Sequence, residues 1–110
     1  MAILPLLGES DPVVQQQADV NGDEFRNEDG DTKLITFNQS GVPLRLVFTD
    51  QRACSYGFIA HADSTVTIIA GDNVSVGTFN PHRYNNSFRR VQVTYPDGVA
   101  GLFVASATRP

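Results

Sequence analysis

Hydrophobic and polar residues alternate along most of the chain after residue 32, with the period of two that is typical of β-strands. The clearest segment is residues 64–69, where Val66 and Ile68 are expected to face inward while Thr65 and Thr67 face solvent. Strands are predicted at residues 33–37, 44–49, 54–60, 64–69, 74–79, 91–95 and 101–105.

Turn residues separate these segments about every 8–12 residues, as in sandwiches and barrels. Pro96-Asp97-Gly98 lies between two alternating segments and is the strongest local hairpin signal in the chain. Only residues 12–18 have the composition of a short helical turn. The sequence therefore predicts an all-β fold, an antiparallel β-sandwich of about seven or eight strands with essentially no helix.

The first 33 residues differ from the rest, because they are rich in Asp, Asn, Gly and Gln and begin with an apolar tip at residues 3–7. We interpret residues 1–14 as an extended N-terminal arm and residues 15–110 as a single β-sandwich domain, with a first edge strand near residues 15–20. An apolar arm of this kind docks either on its own domain or on a neighbour.

We expect the arm to be mobile in the free protein, to be ordered in an assembly, and to be dispensable for folding. Each apolar side chain contributes about 1.5–3 kcal/mol when fully buried, whereas ordering the backbone costs about 1–2 kcal/mol per residue. A partner must therefore supply much of the burial. The expected partner contacts in the arm are Ile3, Leu4, Leu6 and Leu7.

The net charge of -4 argues against a nucleic-acid partner for the whole molecule. The charge is uneven: residues 1–31 carry eight acidic residues and one basic residue, a net charge of -7, whereas residues 32–110 carry a net charge of +3. Opposite signs in two segments can steer association between copies or with a partner. The alternative is a solvated acidic loop.

The 110 residues suffice for one domain with its own core. The single cysteine, Cys54, cannot form an internal disulfide and is interpreted as a small buried apolar residue. The apolar segment near the N-terminus is too short for a signal sequence and lacks a basic flank. Because no segment is long enough to cross a membrane, we expect a soluble protein made in the cytoplasm.

Candidate chemistry is sparse. The segment 19–23 has the D-x-N-x-D opening of a calcium loop, but Glu24 and Gly30 stand where that loop needs glycine and a bidentate glutamate. His61 lies near Asp63 and Ser64, yet no nucleophile elbow accompanies them. We therefore predict no enzymatic activity, no cofactor and no metal. A looser carboxylate site is the remaining alternative to a simple turn, formed by Glu28, Asp29 and Asp31.

The long connection at residues 70–90 contains a basic and aromatic cluster formed by Arg83, Tyr84, Arg89 and Arg90. Since the net charge is negative, contact with a protein is favoured over contact with nucleic acid; alternatively, the arginine stems cover apolar edges. The same connection contains residues that could anchor a partner protein. The alternative role of these residues is to close one end of the sandwich. These anchors are Phe79, Pro81, Tyr84 and Phe88.

Several spaced motifs stand out along the chain: Phe25-x-Asn27-x-x-Gly30-x-Thr32-x-Leu34, Asn38-x-x-Gly41, Ala70-Gly71, Gly77-x-Phe79-x-Pro81-x-x-Tyr84-Asn85, and Val91-x-Val93-Thr94-Tyr95. In order and spacing they resemble the motifs of small virion proteins from tailed bacteriophages. Together they span roughly residues 25–105. Two features depart from the pattern: Arg89-Arg90, where Asp-Gly-like turn residues are expected, and the longer apolar arm.

The resemblance implies a β-sandwich structural protein of the phage head, of the capsid decoration (cement) type. Its expected location is the capsid surface of the virion, and its expected partners are the major capsid protein and copies of itself, for example in a trimer. No membrane and no direct nucleic-acid partner are implied. The alternatives are a head-to-tail connector or neck component, and a carbohydrate- or cell-surface-binding β-sandwich module.

Overall fold

The computed structural model describes residues 2–4, 6–7, 15–51 and 64–107. These residues form ten strands, three of which contain only two residues, and one single-turn helix. In chain order the elements are β1 (Ala2–Ile3), β2 (Leu6–Leu7), β3 (Gln16–Gln17), β4 (Asp23–Arg26), β5 (Lys33–Asn38), β6 (Leu44–Phe48), β7 (Ser64–Ile68), β8 (Asn73–Val76), α1 (Pro81–Tyr84), β9 (Arg90–Thr94) and β10 (Leu102–Ala107).

The strands form two sheets that face each other, which confirms the predicted all-β sandwich. The first sheet has the order β1-β4-β9-β6-β7, and the second has the order β2-β10-β5-β8, with β3 also paired to β10. The long neighbours are antiparallel, whereas β1 and β2 add to their sheets as short parallel pairs. The sandwich is therefore built on antiparallel pairing, and the arm supplies the two parallel additions.

The core lies between the sheets because strands such as β5, β6 and β9 bury alternate residues. In β6 the buried positions are Leu44, Leu46 and Phe48, as the sequence pattern predicts. Phe25 and Val91 are directly opposite each other on β4 and β9, and both are fully buried. The facing sheet contributes Leu34, Leu102 and Val104.

Most predicted strands are present with bounds shifted by one or two residues. The prediction for residues 74–79 is too long, since β8 ends at Val76 and the chain then bends so that Phe79 enters the core. The predicted first edge strand is reduced to β3. We did not predict β4. The prediction of a strand at residues 54–60, together with the interpretations of Cys54 and His61, lies outside the described residues.

The predicted hairpin around Pro96-Asp97-Gly98 is wrong, although the turn itself forms. β9 belongs to the first sheet and β10 to the second, so the connection crosses between the sheets. A second turn follows, closed by the Leu102 amide donating to the carbonyl of Val99 at 3.0 Å. Among the described strands, β6 and β7 are the consecutive strands that pair directly.

The described part of the arm lies on its own domain, which differs from the expected attachment to a neighbouring chain. β1 pairs with β4 at one edge, and β2 pairs with the end of β10 in the other sheet. Between them, the Leu4 amide donates to the carbonyl of Glu24 at 2.8 Å, and Leu4 is 2% exposed. The arm thus bridges the two sheets, and Leu4 contributes to the core.

Candidate contact surface at one end of the sandwich

The connection from β8 to β9 is fastened to the sandwich by a buried asparagine. The Asn27 side-chain amide donates to the carbonyl of Phe79 at 2.9 Å and to Oδ1 of Asn85 at 3.0 Å. The Asn85 amide donates back to the carbonyl of Asn27 at 2.6 Å. Because Asn27 is completely buried, these bonds replace water for groups that would otherwise be costly to bury.

Phe79 occupies the end of the core. Its ring lies 5.4 Å from Phe25, 4.8 Å from Phe48 and 5.6 Å from Tyr84, measured between centroids, and two of these contacts are edge-to-face. Such aromatic pairs add to the stabilisation that burial provides. At 4% exposure, Phe79 closes the sandwich, which is the alternative role considered for it. Pro81 and Tyr84 are half-buried.

The single-turn helix α1 fixes Arg83 in a structural position. The Asn80 side chain caps the helix by accepting from the His82 amide, and Pro81 occupies the first turn. The Arg83 guanidinium donates through Nε to Oδ2 of Asp50 at 3.0 Å, and its carbon Cζ lies 4.9 Å from the centroid of the Tyr84 ring. Arg83 therefore holds the connection in place and is not a free cation on the surface.

The turn before β9 is held rigidly by its own side chains. Oδ1 of Asn86 accepts from the amide of Phe88 at 2.8 Å and from that of Arg90 at 3.2 Å. Arg89 has a φ of 61°, a left-handed conformation that favours glycine or asparagine. A glycine would therefore suit this backbone, although an arginine occupies the position.

Four residues at this end form a surface that we call the basic tip: Arg26, Phe88, Arg89 and Arg90. Arg26 and Arg90 are directly opposite each other on β4 and β9. The Arg90 Cζ atom lies 5.8 Å from the centre of the Phe88 ring, and Phe88 is 72% exposed. Beside the tip, a depression of about 330 Å³ is lined by Ile3, Leu4, Arg26 and Arg90.

Three exposed carboxylates flank the basic tip, and we call them the acidic loop: Glu28, Asp29 and Asp31. The loop lies against α1, because a Cβ at Gly30 would come within 2.9 Å of Cδ of Pro81. Glu28 is 3.8 Å from Arg26, the only ion pair that the described residues form between the acidic loop and the basic tip. Arg90 has no ion pair among the described residues, and it lies opposite the like charge of Arg26.

Apart from the half-buried Pro81 and Tyr84 of α1, the predicted contact residues fall into three groups. Ile3, Arg89 and Arg90 lie on or beside the basic tip, and Ile3 is 56% exposed. Leu4 and Phe79 are buried in the core. Leu6 and Leu7 belong to β2 at the edge of the other sheet. Sequence reasoning missed Arg26, because its position opposite Arg90 depends on the register of β4, a strand that the pattern did not reveal.

A buried carboxyl group lies at the edge of the core. Asp23 is completely buried, and its Oδ2 accepts from the Tyr95 hydroxyl at 2.5 Å and from the Asp19 amide at 3.2 Å. Its Oδ1 has no hydrogen-bond partner among the described residues. Burial raises the pKa of Asp23, an effect that the Tyr95 hydrogen bond opposes. Burial and the neighbouring carboxylate also raise the pKa of Tyr95.

The calcium-like segment forms an ordinary turn. The Asn21 amide donates to Oδ1 of Asp19 at 2.8 Å, and the Gly22 amide donates to the carbonyl of Asp19. Within the described ranges, no three His, Cys, Asp or Glu side chains come together as metal ligands would. The helix that the structure describes is also too short to cross a membrane.

The outer face of the second sheet carries a separate small depression of about 180 Å³, lined by Gln15, Gln39 and Phe103. Phe37 is directly opposite Phe103 on the neighbouring strand, and both rings are half-buried.

Searches for similar proteins found no known family, no curated protein and no solved structure that matches this chain.

Proposed function

We propose that this chain is a non-enzymatic structural protein of a tailed-phage virion, of the capsid decoration type, which binds and stabilises the lattice of the major capsid protein. The proposal rests on the resemblance of the spaced motifs. The structural observation that supports it is the basic tip, where an exposed aromatic ring and three arginines project from a rigid end of the sandwich. Aromatic and arginine side chains are the residues that most often dominate protein interfaces.

The rigid mounting of this surface fits a role in attachment. The side chains of Asn27, Asn85 and Asn86 form hydrogen bonds with the backbone around the tip, and Asn27 also bonds to Asn85, so the tip is held before any partner arrives. A preorganised surface avoids part of the entropy cost of binding. Attachment to a capsid or to a neighbouring copy through the exposed Ile3 of the arm belongs to the same proposal.

Two measurements test this proposal: the copy number of the protein in the virion, and its binding to particles that lack it. Quantitative mass spectrometry of purified virions of the source phage should find hundreds of copies per particle, whereas a connector ring would give about a dozen, and absence from the particle would refute the proposal. Particles that lack the protein should bind the wild type and bind Phe88→Ser more weakly. Val42→Ser is the matched control. Val42 is also exposed, at 55%, but it comes after the C-terminal end of β5, whereas the acidic loop comes before the N-terminal end of that strand.

A carbohydrate-binding module is the second candidate, favoured by the depression on the second sheet. Side-chain amides of Gln15 and Gln39 beside the Phe103 ring combine hydrogen-bonding groups with an apolar surface, as small-ligand sites do. A glycan array probed with the wild type and with Phe103→Ala tests this candidate. Specific binding that the substitution abolishes would support it, and a blank array would remove it.

A further inference from the structure

The basic tip and the acidic loop lie side by side at the same end of the sandwich. The Asn27 amide, at the start of the acidic loop, donates to the carbonyl of Arg89 at 2.9 Å, and Arg26 is in register with Arg90. The two groups carry three positive and three negative charges. One end of the molecule therefore presents opposite charges in adjacent areas.

Most of these charges are unpaired within the chain. Among the described residues, Arg89 and Arg90 take part in no ion pair, and neither do Asp29 and Asp31. All but Arg90 are exposed, and Phe88 lies on the same turn with 72% of its surface accessible. The charges are thus available to a second molecule, with an apolar side chain beside them.

A surface with adjacent areas of opposite charge is complementary to itself. When a second copy is rotated by 180° about an axis between the two areas, each positive area meets the negative area of its partner, which is the arrangement in a two-fold dimer. The electrostatic complementarity guides association and fixes the register. A partner that is only acidic would match the basic tip but would be repelled by the acidic loop.

We propose that two copies of this chain associate around a two-fold axis, with the basic tip of each copy against the acidic loop of the other and Phe88 near the axis. The left-handed conformation of Arg89 supports this inference, because such a conformation is costly for arginine and is retained most often where the side chain has a function. The contact is small and charged, so the dimer depends on concentration and on salt.

Sedimentation velocity of the purified full-length chain tests the dimer. The dimer should have twice the 12.0 kDa mass of the chain. It should form in about 0.01 M salt, where the electrostatic screening length is about 30 Å. It should dissociate in about 1 M salt, where the screening length is about 3 Å. A protein that stays monomeric at low salt up to millimolar concentration would overturn the proposal.

Charge exchange then identifies the surfaces. The double variant Arg89→Glu/Arg90→Glu should be monomeric, and so should Asp29→Lys/Asp31→Lys, because each places like charges across the contact. An equimolar mixture of the two variants should form a heterodimer. If the variants remain dimeric, or if the mixture stays monomeric, the tip and the loop are not the contact.

Two controls separate this result from misfolding and from a change in net charge. Arg89→Gly accepts the left-handed backbone, so it should keep the wild-type melting temperature while weakening the dimer. Thr65→Glu/Thr67→Glu adds two acids on the exposed outer face of β7 and should dimerise like the wild type. Loss of the dimer in this threonine variant would mean that net charge alone controls association. No capsid is present, so the outcome is independent of the proposed virion function.

Discussion

Replacing Tyr95 by phenylalanine should destabilise the protein more than the loss of an ordinary tyrosine hydroxyl. The change preserves the ring in the core but removes the 2.5 Å hydrogen bond to Oδ2 of Asp23. The buried carboxylate then keeps only the Asp19 amide at 3.2 Å, since its other oxygen has no partner among the described residues. Hydrogen bonds to charged groups contribute about 1.5–3 kcal/mol.

The measurement is chemical and thermal unfolding of Tyr95→Phe beside Tyr84→Phe. For a domain of this length, 1 kcal/mol corresponds to roughly 4 °C, so the melting temperature of Tyr95→Phe should fall by roughly 6–12 °C. Tyr84→Phe removes a bond between two neutral groups, the 2.6 Å contact with Oγ of Ser64, and should cost about 0.5–1.5 kcal/mol. Equal losses in the two variants would refute the charged character of the Tyr95 contact.

The pH dependence of stability provides an independent check on the same pair. Because burial raises the pKa of Asp23 above its ordinary value of 3.8, its protonated form is favoured by folding. Its contribution to the free energy of unfolding is therefore complete below pH 3.8 and is lost as the pH rises through the pKa in the folded protein. Compared with Asp23→Asn, which does not titrate, the wild type should lose stability over this range. A difference that stays constant with pH would contradict this assignment.

Two further comparisons test the packing of the arm and of the crossover. Leu4→Ala should cost about 2–5 kcal/mol in urea unfolding, whereas Ile3→Ala, at a 56% exposed neighbour, should cost at most about 0.5 kcal/mol; equal effects would mean that Leu4 is not in the core. Gly101→Ala should destabilise the protein more than Gly71→Ala, although both glycines have positive φ. The reason is that a Cβ at Gly101 would lie 2.8 Å from the Ser40 nitrogen, whereas a Cβ at Gly71 would meet nothing. Similar melting temperatures for the two variants would argue against that close approach.

The strands that could be predicted from the sequence are those whose alternation reflects a local requirement. In β6 and β7, one face of the strand contacts the core and the other faces solvent. Apolar residues such as Leu46 therefore alternate with polar residues such as Thr65 along the sequence. β4 has no such signature, because Phe25 is its single apolar residue and the buried Asp23 reads as a polar turn residue. Its strand conformation depends on pairing with β9, which is distant in the sequence.

The crossing between sheets could not be predicted either. Turn residues specify a change of direction, and the turn at Pro96-Asp97-Gly98 forms as expected. Which sheet receives the next strand depends on non-local pairing, here of β10 with the distant β5, where Gly101 closely approaches Ser40. A local hairpin signal therefore identifies a turn more reliably than it identifies the strand pair.

The candidate site shows the same division between local and non-local information. The resemblance singled out Arg89 and Arg90 as standing where Asp-Gly-like turn residues are expected, and Arg89 has a left-handed conformation of the kind that glycine adopts. The sequence also showed a negative N-terminal segment and a positive remainder, which suggested charge separated along the molecule. The strand order gives a different distribution. Antiparallel pairing of β4 with β9 brings the end of one beside the start of the other.

That pairing converts a charge difference between distant segments into opposite charges on adjacent surfaces. Arg26 is the last residue of β4, and Arg90 is the first residue of β9. The acidic loop that follows β4 therefore lies beside the basic turn that precedes β9. Parallel addition of β1 places Ile3 at the same end. Since three separate segments of the chain supply this surface, its shape depends on the intact sandwich, and any partner that recognises it must recognise the folded domain.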